Sequence, residues 1–546
     1  MAITESGRQI VFNCQVPRAI TTDSVSSLRV KSDLERYDEP LSYWNVQGEL
    51  LGIALPIVFY PDYYYFTSDT GIVYLDNDLK RLTGMMDNVQ LDQRQIEKIL
   101  LRERCDSDAT PIEGIKRLGG YSFYIFTKNG VEKHPILMSE FIERSDQDSY
   151  EVFKMQLNKT IETIYDQNRN KKNYLLMSGG ADSRLLFLLL LKKEIPFEVR
   201  TVLNIPTTHG GNFNDAVKAQ EVCEAACVKC RVNLFDFNTA NIEIMHEAPK
   251  AMPTCVHDWV GFYYALLDID NGSIVWTGQN ADAFYNFSPT EKFSFSPHGI
   301  AQWFKRFYLS EAYLESLPDI NGKAGLTSKL LARCGLMMFS LYFRGEKLSL
   351  PKSFLELEQR FSNSDDFLIL RESDNLKEDK SVLRKTLQLN CSEAFNDLLR
   401  VKVDHCHGGH VQAINSAAEL KGSNAVFPYS SCRMMSWFES FPRGWADVNR
   451  PKRFIYKYID ELSQEFGSRL TNFDPPKKDT SFAQKVTIKS LYGYFKELLE
   501  SQFGRSLIKE SKIPEDSIGL FPDDMRKYEY ILRHWWIEKL RELYIE

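Results

Sequence analysis

The sequence predicts an α/β protein, with an α+β domain over residues 1–148 followed by a parallel-sheet domain over 149–546 that turns largely helical from about residue 290. Three observations predict it. Short β-prone runs broken by turns fill the first part, apolar strand-length runs alternate with helix-period segments from Tyr150 to about Pro289, and helical spacing prevails beyond.

In the first domain ELLGIALPIVFY, YYYFTS, GIVYLD and GYSFYIF read as strands, the last closing at the turn KNG. Few helical periods occur there except around Leu91–Arg104. YEVFKMQLNKTIETIYDQ, from Tyr150, has apolar residues three and four apart and reads as a helix. Tyr174–Met177 reads as a strand, and Arg184 opens an apolar helix. FEVRTVLNI is the next strand, NDAVKAQEVCEAAC the next helix and SIVWTG a further strand. Such alternation implies a parallel sheet covered on both faces. NFDPPKKDTS, with its paired prolines, reads as a loop. The terminal YEYILRHWWIEKLRELYI reads as a helix with its aromatic residues in core or interface.

Composition is that of a folded chain: 546 residues, 43% hydrophobic and 26% charged. The net charge of −7 argues against a protein that coats nucleic acid. The opening MAITESGRQIVFNCQV lacks the pattern of an export signal, and Leu185–Leu191 is far shorter than the roughly 20 residues of a membrane span. Ten dispersed cysteines then read as mostly reduced thiols, and the expected location is cytoplasmic, with no membrane partner.

The segment YLLMSGGADSRLLFLLLL places Ser178–Ser183 between the carboxyl end of a strand and the amino end of a helix, where parallel sheets bind ligands. Unpaired N–H groups and the helix dipole favour an anion there. Gly179 and Gly180 allow close approach, and Ser178 and Ser183 can add hydroxyls. No lysine follows the glycines, so this is not the kinase-type phosphate loop.

The run SGG-x-DS resembles the pyrophosphate loop of enzymes that cleave ATP to AMP and pyrophosphate. VWTGQNADAFYNF at 275–287 is similar to the SGEGADE-like segment of asparagine synthetases and the TG-x-GAD segment of β-lactam-forming synthetases. LLRVKVDH at 398–405, VFPYSSCRMMSWFESFP at 426–442, RPKRFIYKYI at 450–459 and PPKKDTSF at 475–482 resemble further segments of that family, in family order. IEGIKRLGGYSFYIF resembles the end of the glutaminase domain, which implies an amino-terminal-nucleophile (Ntn) hydrolase-like fold for the first domain. That domain normally carries a nucleophilic cysteine at residue 2. Residue 2 is Ala2 here, and Cys14 sits inside a strand-like run, so a remnant without glutaminase activity is implied.

The resemblance implies ATP and Mg2+ as cofactors and an AMP-forming ligase that adenylates a small-molecule or peptide carboxylate for attack by ammonia or an amine, in some cases closing a lactam. Ser178, Gly179, Gly180, Asp182, Ser183 and Gly278 would line the nucleotide, with Val202 and Asn204 reading the adenine from the strand FEVRTVLNI. Asp182 and Asp282 fall on the family's magnesium positions, and Lys452 and Lys477 on its two lysines, with Lys478 a competitor for the second. Gln279 departs from the family, since an amide cannot serve as a general base, and Ala283 replaces a frequent acidic residue. A pyrophosphate-loop enzyme acting on a nucleobase or transfer RNA, and an ATP-binding module without catalysis, are the alternative readings. A homo-oligomer is left open. CEAACVKC at 223–230 lacks a second ligand pair and reads as buried cysteines in a helix pattern, while DHCHGGH at 404–410 reads as a substrate-facing loop.

Overall fold

The computed structural model describes the chain apart from Met1 and residues 5–6, 59–60, 103–104, 106–107, 137–145, 206–210, 237–241, 253–258, 282–406, 440–451, 468–469, 471–496, 498–499, 503–504 and 507–524. Met1–Ala281, Val403–Phe441 and Phe454–Glu546 form one compact unit. A second comprises Asp282–Lys402 and Pro442–Arg453, of which only Lys452 and Arg453 are described. The helical reading from about residue 290 to 406 therefore lies outside the described residues.

The amino-terminal part runs β1 (Ala2–Ile3), β2 (Gln9–Phe12), β3 (Arg18–Thr21), α1 (Ser27–Tyr37), β4 (Leu41–Trp44), β5 (Leu50–Leu55), β6 (Tyr64–Thr67), β7 (Val73–Asp76), α2 (Leu79–Thr83), α3 (Gln93–Arg102), β8 (Lys116–Arg117), β9 (Ser122–Thr127) and β10 (Gly130–Pro135). It builds two mixed sheets, ordered β1-β2-β7-β6-β8 and β10-β9-β5-β4-β3. Strand alternation explains how they pack. Tyr65, Val73 and Leu75 of one sheet meet Ile53, Leu55, Tyr124 and Phe126 of the other in a shared core. Tyr64 and Phe66 point the opposite way, onto Leu79 and Leu82 of α2.

Helix α1 lies outside Leu91–Arg104, the stretch where the sequence shows a helical period in this domain. Its buried residues are Val30, Lys31 and Leu34, while Leu28 is exposed, so it packs through one narrow stripe. Local capping compensates: the Ser26 hydroxyl accepts from the Arg29 N–H at 3.2 Å.

The rest of this unit runs α4 (Asp146–Gln167), β11 (Asn173–Leu176), α5 (Ala181–Lys192), β12 (Glu198–Ile205), α6 (Gly211–Ala225), β13 (Cys230–Asp236), α7 (Ile242–Met245), α8 (Glu247–Ala251), α9 (Trp259–Ala265), β14 (Ile274–Thr277), α10 (Gln412–Glu419), β15 (Asn424–Val426), α11 (Cys432–Glu439), α12 (Arg453–Phe466) and α13 (Met525–Tyr544). The sheet order is β13-β12-β11-β14-β15, and every pair is parallel. Leu185 to Leu190 of α5 are all fully buried. Tyr174 and Val275 share a core with Trp259 of α9, Ala413 and Ala417 of α10, and Trp535, Trp536 and Leu540 of α13. The tryptophans of the last helix thus lie in the core. No described helix is long and apolar enough to cross a membrane.

The strand order positions the site. The chain steps outward from β11 to β12 and β13, then returns to place β14 on the other side of β11. Between β11 and β14 the connections diverge, and a parallel sheet opens a crevice at its carboxyl edge at such a switch point.

Candidate functional site

The turn at that crevice is shorter than the sequence reading, because α5 begins at Ala181 and not at Arg184. Gly180 takes an extended N-cap conformation (φ −78°, ψ 165°), its carbonyl accepts the Arg184 N–H at 3.2 Å, and Asp182 occupies the first turn, where a carboxylate suits the helix dipole. Asp182 and Ser183 are therefore helical residues. Gly180 offers no side chain, so no side chain caps the helix, and the positive end of its dipole favours an anion.

The two serines brace the turn. Ser183 is buried, and its hydroxyl accepts from the Ser178 N–H (3.1 Å) and donates to the Ser178 carbonyl (3.0 Å). Ser178 is exposed; its Oγ lies 3.2 Å from the Ser183 Oγ and accepts the Gly180 N–H, also at 3.2 Å. The next residue, Arg184, is fully buried and donates from Nη1 to the Leu470 carbonyl at 2.9 Å. Burial pulls its pKa down to about 10, so at neutral pH it remains a cation beneath the turn.

Gly278, just past β14, meets this first turn directly. A Cβ built on it would lie 2.8 Å from the Ser183 nitrogen and 3.0 Å from the Asp182 carbonyl carbon, so only glycine allows the approach. A third segment closes in from β15: the buried Tyr429 donates its hydroxyl to the Asp182 carbonyl at 2.9 Å. Asn280, buried and at φ 73°, donates to the Ser430 hydroxyl at 2.8 Å. Residues 178–184, 278–280 and 429–430 thus converge at one sheet edge. Tyr429, Ser430, Asn280 and Arg184 carry no signal of their own in the sequence, although Arg184 falls within YLLMSGGADSRLLFLLLL, Asn280 within VWTGQNADAFYNF, and Tyr429 and Ser430 within VFPYSSC.

Strand β11 stops at Leu176, opposite Arg200, whereas β12 continues to Ile205 alongside β13. Val202, half-buried, and Asn204 lie on that overshoot, which flanks the turn. On the β14 side, the Gln279 N–H donates to Thr277 Oγ1 (3.1 Å), and its Nε2 lies 3.0 Å from His410 Nδ1.

Lys452, at φ 57°, leads into α12 and belongs to the second unit. Asp282, Ala283, Lys477 and Lys478 lie outside the described residues, as do residues 398–406, including His405 and Cys406. Asp182 is half-buried with Oδ1 shielded from solvent, and a hard carboxylate oxygen of this kind would suit a magnesium ion. Among the described residues, no three His, Cys, Asp or Glu side chains cluster as a metal site.

The CEAACVKC segment is helical only in part, since α6 ends at Ala225, Cys227 sits in a left-handed turn (φ 54°) and Cys230 opens β13. The Cys223 thiol hydrogen-bonds to Cys230, which holds Cys223 above and Cys230 below the usual thiol range. Near the amino terminus, Ala2 lies in β1 and Cys14 follows β2. Burial, with the Asp76 charge, pushes the Cys14 thiol up to about 11, so it stays protonated at neutral pH.

No protein-family model matches the sequence, and no curated protein matches it either.

Proposed function

We propose that the protein is an ATP-dependent amide synthetase of the kind its motifs resemble: it adenylates a carboxylate, releases pyrophosphate, and passes the acyl group to ammonia or an amine. One observation carries the reading. Two motif segments 100 residues apart in sequence, at Ser178–Ser183 and at Gly278, abut at the switch point of an all-parallel sheet, which supports a site for a phosphate chain with Asp182 beside it.

In this reading the first-turn N–H groups of α5 and the Ser178 hydroxyl hold the phosphates while the carboxylate oxygen attacks the α-phosphorus. Asp182, with Asp282, would hold Mg2+, which when bound neutralises charge on the departing pyrophosphate. The buried Arg184 adds positive potential to the same end of the helix. The β12 overshoot at Val202–Asn204 offers backbone groups to the adenine edge, and Lys452 and Lys477 are assigned to charge on pyrophosphate and on the later tetrahedral adduct.

The test incubates the protein with Mg-ATP and pools of carboxylates and amines while resolving AMP and pyrophosphate from ADP and phosphate. AMP and pyrophosphate that vanish in Asp182→Ala are expected. ADP and phosphate as products would sink the reading.

A further inference from the structure

Amide formation needs a group to take the proton from the attacking nitrogen, and Gln279 cannot ionise to do so. We propose that His410 is that base, with Gln279 as its positioning residue; this rests on the synthetase reading above. The two side chains meet at 3.0 Å, between Gln279 Nε2 and His410 Nδ1. Both are held from outside the pair. Gln279 lies between Gly278, pressed on Asp182 and Ser183, and Asn280, anchored on Ser430. His410 packs edge-on to the Phe262 ring at 5.9 Å. It is followed by the fully buried Val411 and by Gln412, which donates to Asp62, itself paired with the buried Arg117 at 3.5 Å. The imidazole is therefore fixed at the sheet edge that carries the phosphate turn.

An amide suits this partner because it works with either tautomer. Its NH2 donates to a bare Nδ1, and after a half-turn its carbonyl accepts from Nδ1–H. In the second arrangement Nε2 carries the lone pair, and the carbonyl also stabilises the imidazolium that forms. In the step assigned, the amine lone pair makes the C–N bond at the acyl carbon. The bond from that carbon to the phosphate oxygen breaks, AMP leaves with the electron pair, and the nitrogen's proton passes to His410 Nε2. An imidazole exchanges protons near neutrality, which a glutamine does not.

The test follows a single turnover with Mg-ATP and a mixed pool of amino acids, hydroxy acids and short peptides, quantifying pyrophosphate and amide separately in wild type and His410→Ala. The expected result is a burst of pyrophosphate in the variant within about threefold of wild type, and amide formation from ammonia, with the AMP it releases, slowed by about 10²–10⁴-fold. Added imidazole should restore the amide, and hydroxylamine, whose weakly basic nitrogen sheds its proton to water once the C–N bond has formed, should form hydroxamate at a near wild-type rate; a structural defect would respond to neither. Amide formation that is unchanged in His410→Ala, or lost without rescue by either reagent, overturns the base. A wild-type protein that forms no AMP with any pool fails the synthetase reading first, and the base with it.

Discussion

Replacing Gly278 by alanine probes the contact on which the site is built. The new methyl would sit 2.8 Å from the Ser183 nitrogen, 3.0 Å from the Asp182 carbonyl carbon and 3.2 Å from the Asp182 Cβ. Two of these are backbone atoms of the first turn of α5, which cannot swing aside as a flexible side chain would. Either β14's exit turn or the start of α5 must move. Overpacking of this kind costs about 1–3 kcal/mol. If that strain falls on the nucleotide-binding geometry, Mg-ATP affinity drops by about 5- to 150-fold, at roughly 1.4 kcal/mol per tenfold. Calorimetric titration of Mg-ATP, beside the thermal unfolding midpoint, measures both expressions of the strain. Gly261→Ala in α9 is the control: its added methyl meets nothing within 4 Å, and alanine favours a helix interior by about 1 kcal/mol, so this variant should be neutral or stabilised. A Gly278→Ala protein with wild-type midpoint and wild-type affinity would refute the packing argument.

Three further outcomes follow from the same structure. Tyr429→Phe removes the hydrogen bond to the Asp182 carbonyl and should lower stability by about 0.5–1.5 kcal/mol, read as a fall in the unfolding midpoint; an unchanged midpoint would contradict the contact. Burial raises the Asp38 carboxyl from 3.8 to about 6, so the folded protein holds that proton more tightly than the unfolded chain; the stability this gives is full below pH 3.8 and is lost as pH rises through 6. Asp38→Asn keeps the acceptor for the Cys432 N–H (2.8 Å) and tolerates φ 51°, so it should stabilise by about 1–3 kcal/mol at pH 7.5 and be nearly neutral at pH 4, read from unfolding midpoints at the two pH values. Among the described cysteines, the exposed Cys227 should alkylate with iodoacetamide well before Cys14 at pH 7.5, as peptide mass mapping over time would reveal; early modification of Cys14 would contradict its raised pKa.

How much of this was legible in the sequence depends on the range of the interactions involved. Strand β11 and helix α5 were readable because a glycine pair separates two apolar runs, a local signal. The helix start was misplaced by three residues because Gly180 caps through backbone conformation and leaves no polar cap residue to mark it. The parallel sheet followed from alternation, but its order, and hence the switch point between β11 and β14, depends on long-range pairing that periodicity does not encode. The same holds for the site. Ser178, Asp182 and Gly278 stood out through their motifs. Tyr429 reaches Asp182 across 247 positions, and His410 meets Gln279 across 131, contacts visible only once the chain has folded.

The most direct test of the central claim labels the acceptor. With Mg-ATP and a pool of carboxylates carrying 18O in both oxygens, an adenylating enzyme transfers one labelled oxygen to the phosphorus when AMP leaves the acyl carbon. The account predicts AMP that is heavier by one 18O, formed in step with pyrophosphate and absent from Asp182→Ala. Unlabelled AMP, or label appearing in inorganic phosphate beside ADP, would contradict it.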